Sequence, residues 1–342
     1  MTELPWLEGA SLFASGSGAL AQLVGWGVGQ HAWRRVWLPS YYCPDVPAAL
    51  AAAVGHEVEL LAYPDAALSR PADLAAIAVE PGDLVVVANQ LGVRQPPDTS
   101  TLNVRGAVIV EDHSHDLGSA WALASTADYA FASLRKTLPI PDGGAVWSPA
   151  GRELPPEPAD DHHGAGTTSK RAAERLAAAL TRRGGRTIAT DDRLRFRALA
   201  RVAATPTGAP AHRGISPVSR ALLPQMPVLA WRERRRRNLA VLADAASSVS
   251  GARVLVAPTG GASFALTLVF NAPEQRRAAQ KALLARAVVP VVLWPLDPAG
   301  DWGAGLADAD LSSRILSIHG DQRYDDADMD RLAGILRGAL GS

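Results

Sequence analysis

Tyr129-Ala130-Phe131-Ala132-Ser133-Leu134-Arg135-Lys136-Thr137-Leu138-Pro139-Ile140-Pro141-Asp142-Gly143-Gly144-Ala145-Val146-Trp147 decides how this chain reads. An apolar run ends in a hydroxyl and an amine, and a proline and glycine turn leads into a second apolar run. That is the pattern of a strand, a polar turn and a strand. The chain holds 34 Lys plus Arg, of which Lys136, Lys170 and Lys281 are the only lysines, leaving 31 arginines. A GC-rich genome would produce the same excess, and most lysines are solvated surface charges. Lysine can nevertheless lose its proton where arginine cannot. A desolvated lysine attacks carbonyls and forms Schiff bases, so Lys136 is a candidate covalent anchor for an aldehyde cofactor. Ser133 precedes it by three residues and could bind a phosphate oxygen, while Gly143 and Gly144 let backbone pass close to a flat ring. For Asp142-Gly143-Gly144 alone, a plain hairpin turn is the competing reading.

Outward from this stretch, short β-branched runs alternate with Ala/Leu-rich segments, the rhythm of an α/β protein on a mostly parallel sheet. Strands are expected at Arg35 to Leu38, Glu57 to Leu61, Leu84 to Ala88, Val108 to Val110, Tyr129 to Ala132 and Ala145 to Trp147. Their near-continuous apolar character suits strands covered on both faces. Helices are expected at Gly18 to Val28, Pro44 to Val54, Ser169 to Arg183 and Val228 to Ala246, with a surface loop or flap from Ser148 to Thr168. Strand-like segments at Arg253 to Ala257, Phe264 to Asn271, Val288 to Leu293 and Arg314 to His319 surround a helix near Pro273 to Ala285. They point to a smaller α+β domain at 206–342 after a large domain at 1–205.

The length of 342 residues suits two lobes. Acidic and basic residues balance at 34 each, so no overall field draws the protein to nucleic acid or anionic membrane. One cysteine, Cys43, makes no intrachain disulfide, and no apolar run approaches the length that spans a bilayer. A cytoplasmic protein acting on small molecules is the expectation.

Ligands of doubly wound sheets sit at the carboxyl ends of the strands. Two further segments belong there. Phe13-Ala14-Ser15-Gly16-Ser17-Gly18-Ala19-Leu20 opens a helix with free backbone N–H groups, a phosphate cradle in outline, although Ser and Gly are also ordinary helix caps. Val108-Ile109-Val110-Glu111-Asp112-His113-Ser114-His115-Asp116 ends a strand in carboxylates and two imidazoles. Asp112 there could keep a pyridine nitrogen protonated. His113 and His115 with flanking aspartates could also ligate a metal, or the cluster could be solvated charge at a sheet edge. The metal reading finds no third ligand elsewhere and gives Lys136 no role, so no metal is expected.

These segments together resemble the fold-type I pyridoxal phosphate aminotransferases, and among them the DegT/DnrJ/EryC1/StrS group. The matching elements are Gly16-Ser17-Gly18-Ala19-Leu20, Leu38-Pro39-Ser40-Tyr41-Tyr42-Cys43, Glu111-Asp112-His113-Ser114-His115, Lys136-Thr137-Leu138 with Gly143-Gly144, and Arg234-Arg235-Arg236-Arg237-Asn238. The resemblance implies a three-layer large domain on a mostly parallel sheet and pyridoxal 5'-phosphate held as a Schiff base by Lys136, which also shuttles the proton. It implies Asp112 on the ring nitrogen, Ser17 and the Gly18 backbone on the phosphate, and His115 near the ring or its phenolic oxygen; Ser133, three residues before the lysine, departs from this group and matches aspartate-type aminotransferases instead. Tyr42 would cover the ring face, with Cys43 as the other occupant of that position. It implies a homodimer moving an amino group from an amino acid donor to a keto or aldehyde acceptor, a sugar or secondary-metabolite intermediate among them. A lyase or decarboxylase on the same cofactor, and a cofactor-binding homologue without turnover, are the alternatives. Another departure is the segment Ile215-Ser216-Pro217-Val218-Ser219-Arg220, which stands where the family has Asn-Tyr-Arg reaching a neighbouring subunit's cofactor.

The run Trp231-Arg232-Glu233-Arg234-Arg235-Arg236-Arg237-Asn238 carries no interleaved aromatic platform, so a solvated helix face or a subunit contact is expected rather than nucleic-acid binding. His162 and His163 read as surface histidines, and Trp26, Trp33, Trp37 and Trp294 as core or interface residues. His319 and Arg323 are candidates to face the substrate from the small lobe.

Overall fold

The computed structural model describes residues 3–68, 70, 73–158, 213–299 and 302–340. The expected helix at Ser169 to Arg183, His162 and His163, Lys170 and the 205/206 domain boundary lie outside the described residues. Among the described residues, seven strands form the large sheet: β1 (Ser11–Phe13), β2 (Arg35–Pro39), β3 (Glu59–Tyr63), β4 (Leu84–Ala88), β5 (Val108–Asp112), β6 (Tyr129–Ser133) and β7 (Gly144–Trp147). Their order is β1-β7-β6-β5-β4-β2-β3, and β7 alone runs against the others. The carboxyl ends of β2, β4, β5 and β6 therefore open on one edge, together with the turn that enters β7.

Alternation along the strands builds the layers. Leu84, Val86, Ala88, Val110, Tyr129 and Phe131 face α1 (Gly16–His31) and α2 (Asp45–Val54). Val85, Val87 and Ile109 point the other way, toward Leu74, Ile77, Leu102 and Trp121. Farther along that second face, Ala130, Ala132, Ala145 and Trp147 pack with Ile215, Leu223, Met226 and Val228. Burial on both faces is what the unbroken apolar runs demand. The architecture is α/β, a mostly parallel sheet between two covering layers, followed by a second, smaller sheet.

That second sheet is antiparallel, with β9 (Leu266–Phe270) between β8 (Ala252–Leu255) and β10 (Ile315–Ile318). Leu266, Leu268 and Phe270 meet a helical layer in which Leu239 and Leu242 of one helix (Val228–Ala246) pack with Leu332 and Leu336 of the last (Asp326–Leu340). Its other side, through Leu255, Val269 and Ile315, closes on Tyr41, Leu68, Leu91 and Val93 of the large domain. The two lobes thus share an apolar seam beside the ends of β2 and β4.

Several features differ from the sequence expectation, among them three that shape the sheets and the small lobe. Val288 to Leu293 is no strand: Val291 alone bridges to Ser317, through N–H···O contacts of 2.8 and 2.7 Å, because Pro290 has no N–H to extend the ladder. β1, three residues long, is an addition that depends on pairing with β7 more than a hundred residues away. The final helix is a further addition, with Met329, Leu332, Ala333, Leu336 and Leu340 buried at helical spacing.

Candidate active site

The site lies where the ends of β5 and β6 meet the first turn of α1. β5 and β6 pair in register with Asp112 opposite Phe131, so the chain leaves both strands side by side. β6 passes through Ser133 into a short 3-10 turn, Leu134–Lys136. Lys136 Nζ lies 3.3 Å from His115 Nε2, and 5.8 Å from the ring centre of Trp294. The other ring nitrogen, His115 Nδ1, accepts the Leu91 backbone N–H at 3.1 Å. Burial first, then the charges of Lys136 and Arg235, hold the His115 imidazole well below its ordinary value, so the ring is neutral.

Asp112 is buried and held by neutral donors. Tyr42 Oη donates to Oδ2 at 2.6 Å and the Ser114 N–H to Oδ1 at 2.8 Å. Burial and then the Asp112 charge push the Tyr42 phenol well above its ordinary value, so it remains a donor. An ionised carboxylate offers about four acceptor positions, so capacity for another donor remains. Tyr42 packs its ring into the core beneath α1 and α2. Cys43 next to it lies within electrostatic reach of both Lys136 and Asp112, its thiol raised by burial against the lowering effect of Lys136.

The start of α1 supplies the third wall. Ser15 caps the helix, its Oγ accepting the Gly18 N–H at 3.0 Å, and Ser17 Oγ lies 3.4 Å from Ser15 Oγ. Gly18 therefore has its N–H committed to the cap, and the amides of the first turn before it are those that a helix leaves without intrahelical partners. A Cβ on Gly16 would fall 2.7 Å from Ser133 Cβ, and one on Gly144 would fall 2.1 Å from the Ser15 carbonyl oxygen. Glycine is required at both places for the turn before β7, the end of β6 and the helix start to close together. The free amides at this positively poled helix start suit a phosphate. With a carboxylate suited to a ring nitrogen on one side and a primary amine on the other, the residues present fit pyridoxal 5'-phosphate.

The small lobe closes the cleft. Phe264 lies 4.9 Å and Trp294 5.8 Å, centre to centre, from the His115 ring, and His319 packs edge-on to Phe264 at 5.4 Å. Trp294 thus belongs to the site and not simply to a core. Gln322 donates to the Thr137 carbonyl at 2.9 Å, one residue past Lys136. Arg323 stands apart: its side chain is 66 % exposed and its guanidinium pairs with Asp321 at 2.6 Å. His113 also turns away from His115, to Glu111 at 2.8 Å. Among the described residues no group of three or more His, Cys, Asp or Glu is placed to hold a metal ion.

Two members of the arginine run, Arg232 and Arg235, tie the lobes together, while Arg236 and Arg237 lie on the solvated face expected of the run. Arg232 binds Asp116 through two contacts of 2.7 and 2.8 Å, and Arg235 reaches the same carboxylate at 3.4 Å. Asn238 donates to the carbonyls of Asp321 and Tyr324 at 2.9 and 3.2 Å, fixing the segment that carries Gln322. In Ile215–Arg220, Ser216 donates to Asp142 at 2.6 Å, Ser219 also donates to Asp142, and Arg220 pairs with Glu157. All three side chains are engaged within the chain. Among the described residues no helix is long and apolar enough to cross a membrane.

No protein-family model matches the sequence, and no curated protein matches it. Solved structures do resemble it along nearly its whole length. A DegT DnrJ EryC1 StrS aminotransferase from Brucella abortus superposes with a TM-score of 0.59 at 18 % identity, covering 97 % of this chain and 86 % of that one. The chain has the DegT/DnrJ/EryC1/StrS aminotransferase fold. DesV of S. venezuelae, solved with a ketimine intermediate, gives 0.61 at 16 % identity over 97 % and 85 % of the two chains. Spr1654 of Streptococcus pneumoniae in its PLP form gives 0.63 at 13 % over 97 % and 86 %.

Proposed function

We propose that the protein is a pyridoxal phosphate-dependent aminotransferase that moves an amino group from an amino acid to a keto or aldehyde small molecule. The observation that carries the reading is the placement of Asp112 at the end of β5 and Lys136 just past the end of the adjacent β6, beside the first turn of α1. Bound pyridoxal 5'-phosphate would supply an aldehyde that exchanges between amines and a ring that accepts the electrons of the broken C–H bond. Lys136 holds the cofactor and, once displaced by the substrate amine, takes the proton from the substrate carbon and returns it. Asp112 holds the proton on the ring nitrogen; its neutral partners Tyr42 and Ser114 leave its charge available for that. Ser17 and Ser133 donate to the phosphate, and Trp294 and Phe264 exclude water from the amine. Solved proteins of this fold named as sugar aminotransferases support a keto sugar as acceptor. The same reading takes the working unit to be a homodimer, which equilibrium sedimentation tests.

The experiment is a half-reaction on cofactor-loaded protein with a panel of amino acids. One oxo acid released per site, with glutamate or glutamine among the effective donors, and transfer onward to a keto sugar is the expected outcome. Release of carbon dioxide or of a side-chain fragment with no oxo acid would replace the aminotransferase reading with a decarboxylase or lyase.

A further inference from the structure

The turn that follows Lys136 and the arginine helix leave a cavity of about 10 Å³ between them, lined by Asp116, Thr137, Leu138, Trp231, Arg232 and Arg235. Two of these residues each carry a buried polar atom with no hydrogen-bond partner among the described residues: Thr137 Oγ1 and Arg235 Nε. The residues themselves are only 8 % and 4 % exposed. Buried polar atoms are almost always bonded, so two orphans beside one cavity mark a place for a ligand. Asp116 cannot serve them. An ionised carboxylate offers about four acceptor positions. Asp116 spends its own on Arg232 Nε and Nη2 at 2.7 and 2.8 Å, on the Ala262 N–H at 3.0 Å and on Arg235 Nη2 at 3.4 Å.

We propose that this cavity is a binding site for a single chloride-sized anion, held by the Arg235 Nε–H and the Thr137 hydroxyl and joining the arginine helix to the turn after Lys136. The volume admits one atom-sized occupant and excludes phosphate, sulfate or a carboxylate. The Arg235 Nε–H can only donate and the threonine hydroxyl rotates to suit, so the occupant is an acceptor of two hydrogen bonds. Charge then separates a halide from water. Arg232 and Arg235 converge on one carboxylate, Asp116. Asp321, the other carboxylate that acts on Arg235, is already paired with Arg323 at 2.6 Å. Three guanidiniums thus face two carboxylates, and Arg235 is the most deeply buried of the three, its side chain 4 % exposed against 16 % for Arg232 and 66 % for Arg323. A buried charge without a counter-ion is costly, and a halide supplies one where water does not. Thr137 follows Lys136 directly and its carbonyl accepts from Gln322 at 2.9 Å, so the anion and Gln322 together fix this turn to the small lobe.

Two measurements on the full chain test this. Crystals grown in chloride and measured at long wavelength give the first, since chloride scatters anomalously there and oxygen does not. The expected result is an anomalous peak within hydrogen-bonding distance of both Arg235 Nε and Thr137 Oγ1. Density without anomalous signal, which is a water, or an empty cavity would overturn the proposal. Denaturation in chloride against gluconate at equal ionic strength gives the second. Stability should rise saturably with chloride, the folded-to-unfolded ratio gaining about tenfold at roughly ten times the dissociation constant. Thr137→Val keeps the side-chain shape without the hydroxyl and should lose that response, and Thr137→Ser should restore it. Equal chloride responses in wild type and Thr137→Val would overturn it too. Neither readout involves pyridoxal phosphate, so a failed half-reaction with amino donors would sink the aminotransferase reading while leaving these results to decide this one.

Discussion

Asp112 and Asp116 lie in one segment, are 5 % and 0 % exposed, and are partnered in opposite ways. Asp112, at the end of β5, is held by a phenol and a backbone amide. Asp116, at the lobe junction, is held by two guanidiniums and a backbone amide. A buried carboxylate whose charge is already matched by arginine serves structure, and one supported by neutral donors keeps its charge for a cation that arrives with a ligand. On the proposed reading, the difference leaves Asp112 for chemistry and Asp116 for architecture, within a single turn of chain.

Exchange of each aspartate for asparagine should separate the two roles. Asp116→Asn leaves two mostly buried guanidiniums unmatched and should cost about 3–5 kcal/mol of unfolding free energy in denaturant titrations. Asp112→Asn should instead lower kcat on the order of 10²-fold, the scale of losing one electrostatic partner of developing charge, with a small change in stability. A large stability loss with unchanged kcat at Asp112 would break the comparison.

The neutral imidazole between them predicts a smaller, pH-dependent effect. The native state resists protonating His115, whose value is depressed by burial and by Lys136, whereas the unfolded chain takes up that proton below about pH 6.5. The stability associated with the neutral ring is therefore complete above about pH 6.5 and falls as the pH drops, by up to ~1.4 kcal/mol per pH unit. His319, also depressed first by burial, acts in the same direction. Denaturation curves of His115→Gln against wild type between neutral and mildly acidic pH should show a shallower fall in the variant. Tyr42→Phe sharpens the comparison on a similar scale: it removes one neutral donor from Asp112 at a cost of about 1–3 kcal/mol, and thermal unfolding measures it.

The same contrast explains how much could be read from sequence. Asp112, Lys136, Ser133 and the α1 start are each at the end of an apolar run or at a cap, signals spanning a few residues, and the parallel sheet then brings them together by rule. The architecture followed from the same runs. Trp294, Phe264 and Gln322 reach the site from the other lobe, across contacts more than a hundred residues long, and nothing local marks a tryptophan before Pro295 as facing an amine. The arginine run was only half legible: Arg236 and Arg237 are exposed as its charge density suggests, yet Arg232 and Arg235 are spent on Asp116, a partner 116 and 119 residues away. Tyr42 and Cys43 are adjacent on a turn, and only the packing of the Tyr42 ring into the core shows which way each side chain goes.

The central claim is that Lys136 is the anchoring amine. Borohydride treatment of protein loaded with pyridoxal 5'-phosphate, followed by proteolysis and mass spectrometry, tests it most directly. The account predicts a reduced pyridoxyl group on the peptide containing Lys136 and its absence from Lys136→Ala. An adduct on Lys170 or Lys281 instead, or no stable adduct in the wild-type protein, would contradict it.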